Sequence, residues 1–551
     1  MSNLKNYSDL FADLAQGAYN GRPKEYSFPS ERLTSAHQKE LKEKGYAEYN
    51  FGDGVKTVYL QPDKTLHTEK VVTNIQVPKV NGGYETQSYI TDTYQKGLLT
   101  DEKAGYNSYF VTDKPTVKDS KETYFVTRGS DGISMENLND WVSNNARFTL
   151  FNSYIPQAKL AEKAMEAKIK ELPKGATMNV TGHSLGTMVS IQAVANLPAG
   201  DIDKIGRVVL FQGPDARESI NKMSKQAREN IEKLEAQGKI DYYVSPFDIV
   251  SMLNRNKKGV DEIGNVHYLM PISGTNTLQT DALHGSSHDF GQYQFNKDGS
   301  IKEANVKDNP EIFEAGIRVS RLIDETMAQI VKKAPQIAGS ATLTAVLTSM
   351  VAVSGRVDIA KIVAASGGKL TKEQAMELYD TFMKKYNGII KDTEISMKRN
   401  SEISNLKSSI STSTGGQKVK LRAELAGVVA EEAKSYGREY NELVKNCQQE
   451  TEDEIDQIVR EVYDGAHGSA IYLSYYEVEE LIQSFEKDRL WDNSQAADNL
   501  KEAKKYKEKL DKFSSALKDV SKNIQTYDGA AGKSLFNEKP KTVLEPWNLH
   551  F

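Results

Sequence analysis

Ser184 sits between two glycines in Gly182-His183-Ser184-Leu185-Gly186, the spacing of a tight turn that lifts a serine hydroxyl between a strand and a helix. The glycines let neighbouring backbones approach closely around a strained serine. A glycine-rich turn without chemistry can show the same three residues, so the flanks decide. Residues 177–181 are short and β-branched, and residues 187–196 read as a buried helix stopped by Pro198. A helix that begins just beyond Ser184 also aims backbone N–H groups at any oxyanion formed there.

A serine hydroxyl is a poor nucleophile at neutral pH and needs a base, which in turn needs an orienting carboxylate. In a doubly wound hydrolase the chain order is serine, acid, histidine. Of the eight histidines, His37 and His67 precede the serine, His183 adjoins it, and His467 and His550 lie far downstream. His267 falls in a strand-like run, where a structural role is the commoner one. His284 and His288 share a loop, and His288 is preferred because residues 290–295 after it are apolar and aromatic enough to anchor it; His284 is the alternative. Asp248 follows the strand expected at 240–244 and so lies at the carboxyl edge of a parallel sheet. It could equally cap a helix starting at Ile249, and Asp215, Asp241 and Asp261 are alternative acids. Oxyanion donors are expected at the Leu185 N–H and at Ser130, in the loop after a strand at 124–127. This chemistry calls for neither metal nor organic cofactor.

Those residues need a frame. Helical periodicity at 157–172, strand patterns at 177–181, 207–211 and 240–244, and a charged helix near 216–237 alternate in the rhythm of a parallel sheet with crossover helices. Upstream, residues 7–19 suggest a short amphipathic helix, and 55–59, 71–80, 89–94 and 108–112 suggest strands and hairpins at a sheet edge. From about Pro310 the pattern turns helical, at 311–333, 372–391, 419–462, 475–485 and 495–525. Thr371 to Gln374 offers a capping box, followed by a stripe of Ala375, Leu378, Phe382, Tyr386 and Ile389. Residues 408–417 read as a flexible connection and 532–551 as an extended tail. The expected organisation is thus an α/β domain over 1–309, an elongated all-α, coiled-coil-like module over 310–531, and the tail.

A chain of 551 residues exceeds one ordinary core. Its formal net charge of −5 supplies no basic field for nucleic acid. With Cys447 as the single cysteine, neither an intramolecular disulfide nor a thiolate metal cluster is expected. Residues 1–19 lack the basic, apolar and small-residue regions of a secretory signal. The uncharged run 334–355 holds Pro335, glycines and hydroxyl residues, which favours a buried or interfacial helix over a membrane span.

Five motifs taken in order, Phe125-Val126-Thr127-Arg128-Gly129-Ser130, Asn139-Asp140-Trp141, the Ser184 turn, Phe211-Gln212-Gly213-Pro214 and Val244-Ser245-Pro246-Phe247-Asp248-Ile249-Val250, resemble the succession in class 3 (fungal-type) triacylglycerol lipases and their bacterial relatives. Over roughly residues 7–295 that resemblance implies an α/β-hydrolase domain, with Ser184 as nucleophile, Asp248 as acid, and Ser130 and Leu185 as oxyanion donors. The chain departs from the pattern at Thr127, where the family usually has an aromatic residue, and around the histidine. The order of a lipase followed by a helical module resembles the type VII secretion lipase effectors of Gram-positive bacteria, whose LXG-like targeting domain lies after the enzyme. That second resemblance implies signal-peptide-independent secretion, small helical partner proteins on the module and an immunity protein. Tyr475-Tyr476-Glu477-Val478-Glu479 has Tyr-x-x-x-Glu spacing of the kind such systems use as a signal, and a tyrosine-rich helix face would look the same. The function expected is that of a serine lipase or phospholipase A acting on lipid at a membrane surface. The alternatives are a non-catalytic, secretion-linked interaction protein on a hydrolase scaffold, and a small-ester hydrolase.

Overall fold

The computed structural model describes residues 10–17, 43–51, 56–79, 81–129, 155–257, 259–272, 287–288, 293–337, 340–350, 359–470 and 472–537. Within them the chain is a mixed α/β sheet followed by a long helical region. The strands are β1 (Ala47–Phe51), β2 (Lys56–Gln61), β3 (His67–Pro78), β4 (Tyr84–Lys96), β5 (Thr100–Asp101) and β6 (Tyr106–Thr112), then β7 (Glu122–Thr127), β8 (Thr177–His183), β9 (Ile205–Phe211), β10 (Ile240–Val244) and β11 (Asn265–Tyr268). They form one sheet in the order β11-β10-β9-β8-β7-β6-β5-β4-β3, with β2 also on β6 and β1 on β2. Strands β7 to β11 are parallel, and β1 to β6 pair antiparallel.

Helices follow the parallel strands as the alternation predicts: Pro156–Glu171 after β7, Leu185–Ala195 after β8, Arg217–Asn221 and Lys225–Ala236 after β9, and Ile249–Met252 after β10. Parallel strands covered on both faces should be apolar throughout rather than alternating. Tyr124, Phe125 and Val126 of β7 are all buried, as are Val208 to Phe211 of β9. On one face Tyr109, Val111, Tyr124, Val126, Val209 and Phe211 pack with Ala12 and Leu14 of the short helix Leu10–Gly17. The serine helix Leu185–Ala195 is buried from Gly186 to Ala195, its Thr187, Ser190 and Gln192 included, which leaves it little freedom to shift the residue at its start.

Several expected boundaries move. The helix expected at 216–237 is two helices, because Ser224 caps the second through the Ala227 N–H. The sheet-edge strands are longer than their patterns suggest, β3 and β4 forming a hairpin of 12 and 13 residues. The expected flexible connection at 408–417 is almost wholly helical: Lys372–Thr412 and Gly415–Ser469 leave only residues 413 and 414 between them. The last helix, Asn493–Asn537, runs past the expected start of the tail at 532; residues 538–551 lie outside the described residues. Among the described residues no helix is long and apolar enough to cross a membrane, and the uncharged run contributes the helix Ser340–Met350.

The chain divides into two compact units, Met1–Glu394 and Ile395–Phe551, so contacts change over well after the expected border at 309/310. Burial accounts for the difference. Helix Pro310–Lys333 seals its apolar face into the sheet unit, with Phe313 against the Tyr268 ring at 4.7 Å and Ser320 Oγ donating to Met252 O at 3.2 Å. Gly316 is needed there, since a Cβ would come within 2.5 Å of the Tyr268 ring. The capping box forms as expected, with Gln374 N–H donating to Thr371 Oγ1 at 3.2 Å and Thr371 N–H to Gln374 Oε1 at 2.9 Å. All five stripe residues behind it are buried.

In the second unit Gly415–Ser469 and Asn493–Asn537 pack antiparallel. Ser521 reaches Ala423 O, Tyr506 meets Tyr440, and Gln448 reaches Ala496 O. The backbones come together at Gly437, where a Cβ would lie 3.2 Å from Leu510 Cβ.

Candidate active site

Ser184 ends β8 and caps the helix Leu185–Ala195 with φ 57° and ψ −129°, a conformation that L-residues rarely adopt. The turn is held from both sides. Ser184 N–H donates to Phe211 O of β9 at 3.1 Å, and Thr187 Oγ1 donates to Ser184 O at 2.7 Å. Sterics explain both flanking glycines. A Cβ at Gly182 would lie 2.6 Å from Thr127 Oγ1 and 2.7 Å from Gly186 O, and a Cβ at Gly186 would lie 2.6 Å from Thr127 O.

Thr127, the position where the motif departs from an aromatic, fits under this turn. Its Oγ1 donates to Gly186 O at 2.6 Å and lies 2.6 Å from Ser190 Oγ. The small hydroxyl side chain therefore ties the end of β7 to the first turn of the serine helix.

His288 Nε2 lies 2.9 Å from Ser184 Oγ, and His288 Nδ1 lies 2.9 Å from Asp248 Oδ2. A carboxylate can only accept, so Nδ1 carries a proton and Nε2 is left to accept the Ser184 hydroxyl proton. All three residues are buried. Asp248 also caps the helix Ile249–Met252, accepting from Val250 N–H at 2.9 Å and from Ser251 N–H at 3.2 Å and Oγ–H at 2.5 Å. The helix cap and the contact with the imidazole coexist on one carboxylate. The Ser251 N–H and hydroxyl hold Oδ2, the oxygen that faces the imidazole, while the Val250 N–H holds Oδ1.

A further ring of contacts fixes the loop that carries His288. Gln212 Nε2 donates to Ser287 O at 2.8 Å, Ser287 Oγ donates to Phe247 O at 2.9 Å, and His183 Nε2 lies 3.2 Å from His288 O. The His183 and His288 rings lie 5.0 Å apart. Tyr386, on the helix Lys372–Thr412, donates its hydroxyl to Phe247 O at 2.5 Å, one residue before the acid. Burial pushes the Tyr386 phenol up, and the Asp248 charge adds to that, so it remains a donor at any working pH. Buried Arg255 donates to Ser251 O at 2.8 Å and to Gly213 O at 3.3 Å, bracing the acid helix against the turn after β9.

Sequence reasoning gave no positioning role to Gln212, Ser287, Tyr386 or Arg255. Gln212 belongs to the Phe211-Gln212-Gly213-Pro214 motif, and its φ of 50° sets it apart. Tyr386 stood in the buried stripe, where helical spacing announces burial and not a hydroxyl's destination.

Asp215 and Asp241 are engaged elsewhere, and Asp261 is exposed. Asp215 accepts from Arg217 N–H at 2.8 Å and Ile263 N–H at 2.9 Å and faces Arg255. Arg217 donates to the main-chain oxygen of Asp261. Asp241 pairs with Arg207 at 2.5 Å and with His267 Nε2 at 3.1 Å, while His267 Nδ1 meets Glu303 at 2.8 Å. His267 lies in β11, within the strand-like run of the sequence. Hydrogen bonds to Asp241 and then to Glu303 raise its pKa to about 9. Burial pushes the Asp241 carboxyl up, but hydrogen bonds from His267, Arg207 and Asn265 outweigh it and hold the pKa at about 2.

Ser130, His284 and the Asn139-Asp140-Trp141 motif lie outside the described residues. The loop entering Ser130 does pass over the serine helix, since Gly129 N would be 3.1 Å from a Cβ on Gly186. Leu185 N–H is the first of that helix and has no intrahelical carbonyl to bond. Among the described residues no group of three His, Cys, Asp or Glu side chains could hold a metal ion. No protein-family model matches the chain, and neither a curated protein nor a solved structure matches it.

Proposed function

We propose that the sheet unit is an α/β-hydrolase domain of the class 3 lipase type and that the protein is a serine lipase or phospholipase A. The observation that carries this reading is the hydrogen-bonded series Ser184 Oγ, His288, Asp248 at 2.9 Å and 2.9 Å, on a strained turn at the carboxyl edge of the parallel strands. Ser184 Oγ attacks the acyl carbonyl as His288 Nε2 takes its proton. Asp248 holds the imidazole and offsets the imidazolium charge. The Leu185 N–H and the backbone near Ser130 receive the oxyanion. His288 then returns the proton to the leaving alcohol, and water, activated by the same imidazole, releases the fatty acid and restores Ser184. Every step uses side chains, backbone N–H groups and water.

The test is release of fatty acid from long-chain phospholipid and triacylglycerol by the wild type and by Ser184→Ala. The variant is expected to lose about a millionfold in kcat while keeping its melting temperature. Undiminished hydrolysis by Ser184→Ala would refute the assignment.

We further infer, from the order of the two regions, that the helical region is an LXG-like module for type VII export that carries small helical partners, and that an immunity protein accompanies the enzyme. Export from a Gram-positive host should stop when residues 395–537 are deleted; undisturbed export would contradict this.

A further inference from the structure

The hairpin of β3 and β4 leaves the sheet at a particular place. Ser108 of β6 pairs with Thr127, the last residue of β7, so the start of β6 marks the carboxyl edge where Ser184 stands. Asn107 O, one residue nearer that edge, accepts from Arg128 N–H in the loop leading to Ser130, at 2.9 Å. β5 pairs outward from the same point, Thr100 with Asn107 and Asp101 with Tyr106, and Lys96 of β4 pairs with Asp101. Antiparallel register then carries the rest of β4, back to Tyr84, past the carboxyl edge. At about 3.3 Å per residue the ribbon reaches roughly 40 Å beyond its root.

The ribbon has an unusual surface for something in water. No charge lies between Lys70 and Lys79 on β3, nor between Glu85 and Asp92 on β4. Apolar groups stand on both faces: Val72 and Ile90, paired in register, are 51% and 57% exposed, and Ile75 and Tyr89 on the opposite face are 50% and 47% exposed. The polar side chains between them satisfy one another. Ser88 donates to Asn74 at 2.7 Å, Gln76 to Thr86 at 2.9 Å, and Thr73 and Thr91 lie 3.1 Å apart. Pairing of this kind lowers the cost of taking those groups out of water. Tyr84, 70% exposed, stands near the tip beside Lys79, residues suited to the polar boundary of a bilayer.

We propose that this hairpin is a membrane-docking arm that brings the carboxyl edge of the sheet, and with it Ser184, onto a lipid surface. The proposal rests on the reading of the Ser184 site as a lipid hydrolase. A strand added by another protein would cover an edge of the ribbon and leave both apolar faces exposed. A lipid interface can cover both. The outward N–H and C=O groups of β3 have no strand partner among the described residues, which limits docking to the headgroup boundary, since unpaired backbone is not tolerated in hydrocarbon.

The test uses the full chain with phosphatidylcholine vesicles, and p-nitrophenyl butyrate as a soluble ester. Wild type and Ser184→Ala should both sediment with the vesicles. Ile75→Asp/Ile90→Asp, and the milder Ile75→Thr/Ile90→Thr that keeps β-branched side chains, should remain in the supernatant. Each lost anchor should lower partitioning about tenfold. Both variants should lose hydrolysis of vesicle lipid in proportion while cleaving p-nitrophenyl butyrate like the wild type. Wild type that stays in solution, or variants that sediment like it, would overturn the proposal. So would a wild-type dimer in light scattering that the variants resolve to monomers without any vesicle binding, since that assigns the arm to a second copy of the chain. If no form cleaves either ester yet the hairpin still governs sedimentation, docking stands and the hydrolase reading fails.

Discussion

In the sheet unit side chains such as Phe125, Val180 and Leu210 are enclosed from every direction, whereas on the helix Gly415–Ser469 burial shrinks to a stripe that includes Ala423, Ala430, Ala433 and Gly437. The number of neighbours that can hold a group in place differs accordingly. Asp248 accepts from two backbone N–H groups and a hydroxyl of its own turn, Val250 and Ser251, and meets the His288 imidazole from a distant loop. Glu431 in the helical unit has Lys518 on the facing helix, and that pair is about half exposed. Convergence of strand ends and loops gives reactive groups one geometry. Two long helices give a ladder of replaceable pairs and a large surface, which suits recognition better than chemistry.

The sharpest way to break this contrast is at Asp248. Asp248→Asn keeps the side-chain shape but allows the wrong imidazole tautomer, and kcat should fall about ten-thousandfold, with a far smaller effect on unfolding. A loss of less than tenfold in steady-state kinetics would place the acid elsewhere. Next in size is the cluster of His267, Asp241 and Glu303. His267 has a folded pKa of about 9 against 6.5 for the free group, so its contribution is complete below 6.5 and drains away as pH rises through 9. Asp241, held at about 2 against 3.8, contributes above 3.8 and loses that contribution as pH falls through 2. Unfolding free energies of the wild type from denaturant titration should therefore decline between pH 7 and 9, by about 1 kcal/mol once the partly exposed ring is allowed for. His267→Gln should flatten the decline, and an unchanged slope would count against the cluster. The smallest effect is expected at Lys518→Ala, at most about 1 kcal/mol by thermal melting because the pair with Glu431 is exposed. A larger loss would mean that the helical unit is held more tightly than its thin stripe suggests.

The site was more legible in the sequence than the architecture around it. Ser184, Asp248 and His288 could be ordered because strand, turn and helix signals are local and the chemistry restricts residue types. The contacts that fix His288 were not legible, since Ser287 and Tyr386 both donate to Phe247 O and Gln212 to Ser287 O from stretches far apart in the chain, and nothing local records the meeting. The first compact unit runs on past Pro310 for a similar reason. Helical periodicity begins at Pro310, but which surface the apolar face of Pro310–Lys333 covers depends on Tyr268 and Met252, outside the helix. The second strand of the hairpin reads as starting only at residue 89 because Glu85, Gln87 and Ser88 break its β-branched pattern, while cross-strand pairing of Ser88 with Asn74 and of Thr86 with Gln76 extends it to Tyr84.

The central claim is that Ser184 is an activated nucleophile, and labelling with a fluorophosphonate probe tests it most directly. Peptide mass spectrometry of the labelled full-length protein should find one modified serine, Ser184, with labelling lost in Ser184→Ala and slowed by orders of magnitude in His288→Gln. Absence of adduct on Ser184 in folded wild-type protein, or labelling that persists in Ser184→Ala, would contradict the account.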